Sequence, residues 1–263
     1  MRSIEVLDPN VNVIITGQHL PDKSDANVGV VRILNSNTPF VIPQIFSTFA
    51  NLHELEVYSS QLRTLRIPPT ANLDVLEIRY NNITRINRGD INHQTNLVTL
   101  TLFANEIEEI DEFAFDGLLY VSTIGLINNR ISHIQTRTFF TNMNARVIDL
   151  EGNRLTSIGI YTFTNTRQLR TLYLERNQIS EIHPEFTQDL SRNNLTTINL
   201  SGNQCVSRSF LTNDDFSWSV VNLALQPCFT NFVGGPNETR RVSFEFTGNL
   251  TLQDQFGNVV ARF

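Results

Sequence analysis

Five histidines, two cysteines and a scatter of carboxylates are the residues of this 263-residue chain best able to do chemistry. A zinc site needs Cys or His ligands at short, regular spacings. His19, His53, His93, His133 and His183 share no such spacing with one another or with Cys205 and Cys228. Neither G-x-S-x-G nor the phosphate-cradling G-x-x-x-x-G-K occurs. Asp149 and Glu151 alternate, so a strand would turn both to one face, like the paired carboxylates of glycoside hydrolysis. Nothing in the sequence raises the pKa of one over the other, and a flat sheet offers no closed cleft. Catalysis, a metal and a cofactor are therefore not expected. The cysteines, alone in the chain, are either one disulfide or two unrelated thiols.

Composition narrows the partners. With 40% hydrophobic and 17% charged residues the chain has ample material for a core. A net charge of −6 and the lack of any Lys/Arg cluster argue against nucleic acid, whose phosphates need one. No apolar run of 18 residues is present to span a membrane. The start, Met1 to Asn10, lacks the apolar stretch of a signal peptide. Composition by itself leaves the compartment open.

The elements that position these residues come from an internal repeat. The pattern L-x-x-L-x-L-x-x-N-x-L, with aliphatic exchanges, starts at residues 28, 52, 73, 97, 121, 145, 169 and 195. The steps are 24, 21, 24, 24, 24, 24 and 26, too regular for chance. Its L-x-L segment reads as a short strand with alternate side chains inward. One such strand cannot bury its own face, so successive coils must stack into a parallel sheet over a shared core. The Asn that follows, at Asn81, Asn105, Asn129, Asn153, Asn177 and Asn203, turns the chain out of the strand and is expected to bond the backbone of adjacent coils. Ser36 and Ser60 replace it in the first two coils, which predicts a looser front.

The return half of each coil is periodic too. Leu65, Ile86, Ile110, Ile134, Ile158 and Ile182 share one position, and Phe46, Phe115, Phe139, Phe163 and Phe186, with Ile91, share or adjoin another. The second set predicts a column behind the sheet. Pro68 and Pro69 exclude a helix in the short coil. The expected fold is a solenoid of the α/β horseshoe class, mostly β. It has about eight short parallel strands on its concave side, largely irregular return segments and a cap at each end. Residues 1–27 read as an N-terminal cap with a strand at Val11–Ile15, 28–204 as repeats, 205–233 as a C-terminal cap, and 234–263 as a β-hairpin tail ending in mid-pattern. That ending predicts a longer natural chain. The place of Cys205 at the end of the array favours a bridge to Cys228 over a lone buried thiol, and the closed loop would contribute about 3 kcal/mol.

The repeats resemble the extracellular, typical 24-residue class of leucine-rich-repeat proteins over about residues 28 to 205. The flanks, Ile14-Ile15-Thr16-Gly17-Gln18-His19-Leu20-Pro21 in front and Leu200 to Val206 with Ala224 to Phe229 behind, resemble secreted dipteran leucine-rich-repeat proteins. Some mosquito members are immune factors and others serve adhesion or matrix. The chain departs from them in having no signal peptide, no N-terminal cysteine and no coiled coil. The resemblance implies an extracellular protein-binding module, with innate immunity as one setting. A structural or adhesion role in the matrix, or a receptor ectodomain, is the alternative.

Binding is expected on the concave face, where repeat positions 3, 5, 7 and 8 point outward. Phe103 and Ile127 stand there as neighbours beside the small Thr101 and Gly125, with Tyr58 and Tyr80 on one side and Tyr173 and Arg176 on the other. Aromatic and arginine anchors around an apolar centre have the composition of a binding hot spot. Glu54, Glu56 and Glu77, near Arg79, flank it toward the front, and Asp149, Glu151 and Glu175 toward the back, which predicts a protein ligand bearing basic groups. Five N-x-S/T sequons, at Asn82, Asn194, Asn199, Asn237 and Asn249, are no more than chance supplies in so Asn- and Thr-rich a chain. A glycan on Asn199 would cover the rear of the concave face.

Overall fold

Inward-pointing Leu and Ile at two-residue intervals build the structure, a computed structural model that describes residues 24–211 and 216–232 and the backbone of three later strands. The concave sheet contains β1 (Val30–Leu34), β2 (Glu54–Tyr58), β3 (Val75–Arg79), β4 (Thr99–Thr101), β5 (Thr123–Gly125), β6 (Val147–Asp149), β7 (Thr171–Tyr173) and β8 (Thr197–Asn199), all parallel. Register is kept to one repeat per strand, so Leu55, Leu76, Leu100, Ile124, Ile148, Leu172 and Ile198 form one row with no exposed surface. The solenoid expected from the repeats is the observed fold.

Behind the sheet the aromatic column is continuous. Phe115 and Phe139 stack at 5.7 Å, Phe139 and Phe163 likewise at 5.7 Å, and Phe163 meets Phe186 edge-on at 6.4 Å. Return segments are mostly irregular, with one-turn helices α1 (Gln44–Thr48) and α2 (Phe186–Leu190) in the first and seventh coils. The short coil has no helix on its outer side.

The coil-ending asparagines tie neighbours together. Asn129 accepts from Ile107 N at 3.1 Å and donates to Leu102 O at 2.9 Å and Leu126 O at 3.0 Å. Asn81, Asn105, Asn153, Asn177 and Asn203 each bond backbone in their own and a neighbouring coil in the same way. At the front the shorter Ser60 Oγ reaches Tyr58 O at 2.8 Å and Ile33 O at 3.3 Å.

The rear is closed by β9 (Ser209–Leu211), which runs antiparallel to β8 and so ends the parallel sheet. Helices α3 (Trp218–Ala224) and α4 (Gln226–Asn231) follow. Val221, Leu225 and Cys228 are buried against the last coil, and Cys228 is bridged to Cys205. Asn231 donates to Ser180 O at 3.0 Å, tying α4 to the return side. Strands β10 (Ser243–Thr247), β11 (Asn249–Gln253) and β12 (Val259–Arg262) form a separate antiparallel sheet, in which β10 and β11 are the hairpin read from the alternation. The strand at 11–15 and the turn at 254–258 lie outside the described residues.

Candidate binding face

The strand register aligns the outward residues into rows. Arg32, Glu56, Glu77, Thr101, Gly125, Asp149, Tyr173 and Asn199 succeed one another directly across the sheet. Past the strand ends the pairing continues, with Tyr80 N donating to Phe103 O at 3.0 Å and Ala104 N to Ile127 O at 2.9 Å. Phe103 and Ile127 are therefore adjacent and half-buried. Tyr80 meets Phe103 edge-on, with ring centroids 5.1 Å apart. Gly125 leaves a shallow dimple beside them, and a Cβ there would make only ordinary contacts of 3.6 Å and more with Thr101.

Tyr80 occupies this spot against a local cost. Repeat position 8 has positive φ in every coil, at Asn35, Ser59, Tyr80, Ala104, Asn128, Gly152, Arg176 and Gly202. There the chain leaves the strand in the left-handed region, which suits Gly and Asn and penalises bulky side chains. Tyr80, at φ 56°, is nevertheless 56% exposed and lies on the apolar centre. The backbone cost at this position was not read from the sequence. The recurrence of Asn or Gly at 35, 128, 152 and 202 was the available signal.

Most of the flanking charges are engaged with one another. Arg32 bonds Glu56 at 2.8 Å and approaches Glu54 at 3.5 Å. Glu77 accepts from the Tyr58 hydroxyl at 2.8 Å and pairs with Arg79 at 2.8 Å, while the Arg79 guanidinium lies 5.7 Å from the Tyr58 ring centroid. Arg176 pairs with Glu151. The Arg32 hydrogen bond holds the Glu56 carboxyl below its ordinary range, and burial with the Glu77 bond pushes Tyr58 up to about 12.

Asp149 and Glu175 are the exceptions, since neither forms an ion pair among the described residues, and Asp149 is shifted where no shift was expected. Burial pushes its pKa up to about 6, helped by the nearby Glu175 and Glu151 and opposed by a 3.0 Å hydrogen bond from Glu151 N. Glu175 is also raised, chiefly by burial. Tyr173 is Asp149's neighbour in the row. Among the described residues no group of three or more His, Cys, Asp or Glu could hold a metal ion, and no helix is long and apolar enough to cross a membrane.

Of the sequons, Asn82 and Asn194 are exposed, and Asn82 donates to Glu106 at 3.3 Å. Asn199 is half-buried and accepts from Ser201 N at 3.1 Å and Ser201 Oγ at 2.8 Å. The Asn237 and Asn249 side chains lie outside the described residues.

Comparison with known proteins agrees with the fold. A family model described as leucine rich repeat matches residues 143–205. No curated protein matches the chain. Among solved structures, the TLR13–ssRNA13 complex is similar with a TM-score of 0.59 and 21% identity, over 67% of this chain and 25% of that one. A leucine-rich-repeat protein of Leptospira interrogans is similar with a TM-score of 0.59 and 21% identity, over 70% of this chain and 46% of that one. The plant peptide hormone receptor RGFR1 in complex with RGF2 follows with a TM-score of 0.51 and 22% identity, over 68% and 29%. The chain thus spans between a quarter and just under half the length of these structures.

Proposed function

We propose that this leucine-rich-repeat solenoid is an extracellular protein-binding module that recognises its ligand on the concave face, centred on Tyr80, Phe103 and Ile127. The observation that carries the reading is the Tyr80–Phe103 edge contact at 5.1 Å, kept by a tyrosine at a backbone position that disfavours it. Backbone strain of this kind is tolerated where it serves a surface. Tyr58, Arg79, Thr101 and Gly125 border the centre, and Glu56, Glu77, Asp149, Glu151, Tyr173, Glu175 and Arg176 extend it. The net charge of −6 favours a protein with basic groups over nucleic acid, although one structural neighbour was solved with RNA. The ion pairs already formed leave steering to the overall field more than to individual carboxylates.

The extracellular assignment is supported by the resemblance to secreted dipteran proteins and by the cysteine bridge, which suits an oxidising compartment. Innate immune recognition is the setting we favour, and adhesion, matrix or receptor-ectodomain use is the second reading. Partners captured from extracellular fluid, once purified, should bind the wild type and lose at least about 30-fold in affinity to Phe103→Asp, the scale of a hot-spot residue. Phe140→Asp, away from the strand face, should bind as the wild type does. Equal binding by Phe103→Asp, with its melting unchanged, would remove the site.

A further inference from the structure

The return side of the solenoid carries a recess at the short coil. The step from 52 to 73 is three residues below the usual 24, and Pro68 and Pro69 keep this return segment extended. The coil before it contributes the segment leading into α1, Pro39 to Pro43, and the coil after it the turn through Gly89 and Asp90. The short coil lies between them, and the three together line a cavity of about 880 Å³. Hydrogen bonds tie all three coils around it: Arg63 N to Pro39 O at 2.8 Å, Ile67 N to Asp90 O at 2.8 Å, and Gln94 Nε2 to Pro68 O at 3.2 Å. The cavity is built into the backbone framework.

Its lining divides cleanly. Phe40, Val41, Ile67 and Pro68 supply apolar wall, and Arg63, Arg66, Asp90 and His93 bring polar groups to it. The Asp90 carboxylate is turned onto Asn87, accepting from its backbone N at 2.8 Å and its Nδ2 at 3.0 Å. Neither Arg63 nor Arg66 makes an ion pair among the described residues, whereas Arg32, Arg79, Arg85, Arg130 and Arg176 all do. Arg66 acts on the Asp90 carboxylate through space, so two guanidiniums share one carboxylate that Asn87 also occupies, a local excess of positive charge on a chain of net charge −6. A mostly apolar cavity of this size with a few convergent polar groups has the form of a small-molecule site. Guanidinium matches the planar geometry of an oxyanion.

We propose that the recess at the short coil binds a small amphipathic anion, its apolar body against Phe40, Val41, Ile67 and Pro68 and its carboxylate, sulfate or sulfonate at Arg63 and Arg66. This site is separate from the concave face and does not rest on the function proposed for it.

Two fluorescent probes that share a ring system but differ in charge test the assignment. They are 1-anilinonaphthalene-8-sulfonate and the uncharged N-phenyl-1-naphthylamine. The sulfonate should bind the full chain at one site and be displaced by dodecanoate. Arg63→Gln with Arg66→Gln should weaken it at least tenfold, the loss of charge-assisted contacts, and the neutral probe less than threefold. Thr64→Trp, which fills the recess, should weaken both at least tenfold. Nuclear Overhauser effects from the sulfonate to the Val41 and Ile67 methyls of the wild type locate the site whether or not the variants fold. Failure of either probe to bind, cross-peaks only elsewhere, affinities unmoved in both variants, or displacement only by peptides with a free terminal carboxylate would each overturn the proposal.

Discussion

At the scale of single residues, position 8 of the coil sets fold against face. Left-handed backbone costs a bulky residue about 1 kcal/mol relative to glycine. Gly152 and Gly202 adopt this conformation freely, and Tyr80 does not. Tyr80→Gly should therefore raise stability by roughly 0.5–1 kcal/mol in denaturant melts while weakening ligand capture. A variant that loses stability instead would mean that the Phe103 contact outweighs the strain. Asp149 makes a second residue-scale prediction. Its folded pKa of about 6 lies above the ordinary carboxylate value near 4. The folded state thus holds a proton that the unfolded state has released, and stability falls as pH rises between about 4 and about 6. Asp149→Asn should flatten that slope in melts recorded across the window. The Asp149 shift was not legible in the sequence, and the position-8 backbone only in part, through the recurring Asn and Gly. Burial of a position-5 carboxylate depends on how neighbouring coils pack around it, and six different residue types occupy position 8 across the coils.

Single elements show why so much else was legible. A strand whose inward row is wholly excluded from water accepts only Leu, Ile or close substitutes, so Leu55 through Ile198 announce themselves by type and spacing. The same holds for the Phe column, where rings 5.7 Å apart need one aromatic per turn at one depth. The asparagine after each strand is constrained by hydrogen bonds. Asn129→Ala would leave Ile107 N–H without a partner in a dry interior and take one of two amide donors from each of the Leu102 and Leu126 carbonyls. A loss of about 2–4 kcal/mol is expected in chemical denaturation, against about 1 kcal/mol or less for the exposed Asn128→Ala. The cap strand β9 and the recess were not legible, because both arise from how unlike coils meet. A 21-residue step states that a coil is short without stating whether its neighbours close over it.

For the whole molecule, the governing property is that each coil touches only its neighbours, so stability is a sum of coil and interface terms. A perturbation at one end should stay at that end. The Cys205–Cys228 bridge provides the test, since it links the last coil to α4 across 23 residues and both partners pack on the final turn. Replacing both cysteines by serine removes a constraint worth about 3 kcal/mol in the chain-entropy model. In a globule that loss would be shared by every residue. Here the cost should fall on β8, β9 and the cap helices, whose amide protection drops while β3 to β6 keep theirs. The rear edge of β8 would then be uncovered whenever β9 leaves it, inviting edge-to-edge association. Hydrogen exchange on the double serine variant decides the matter. Protection lost evenly from β2 to β8 would mean that the solenoid melts as one cooperative unit, with the disulfide stabilising the concave face as a whole.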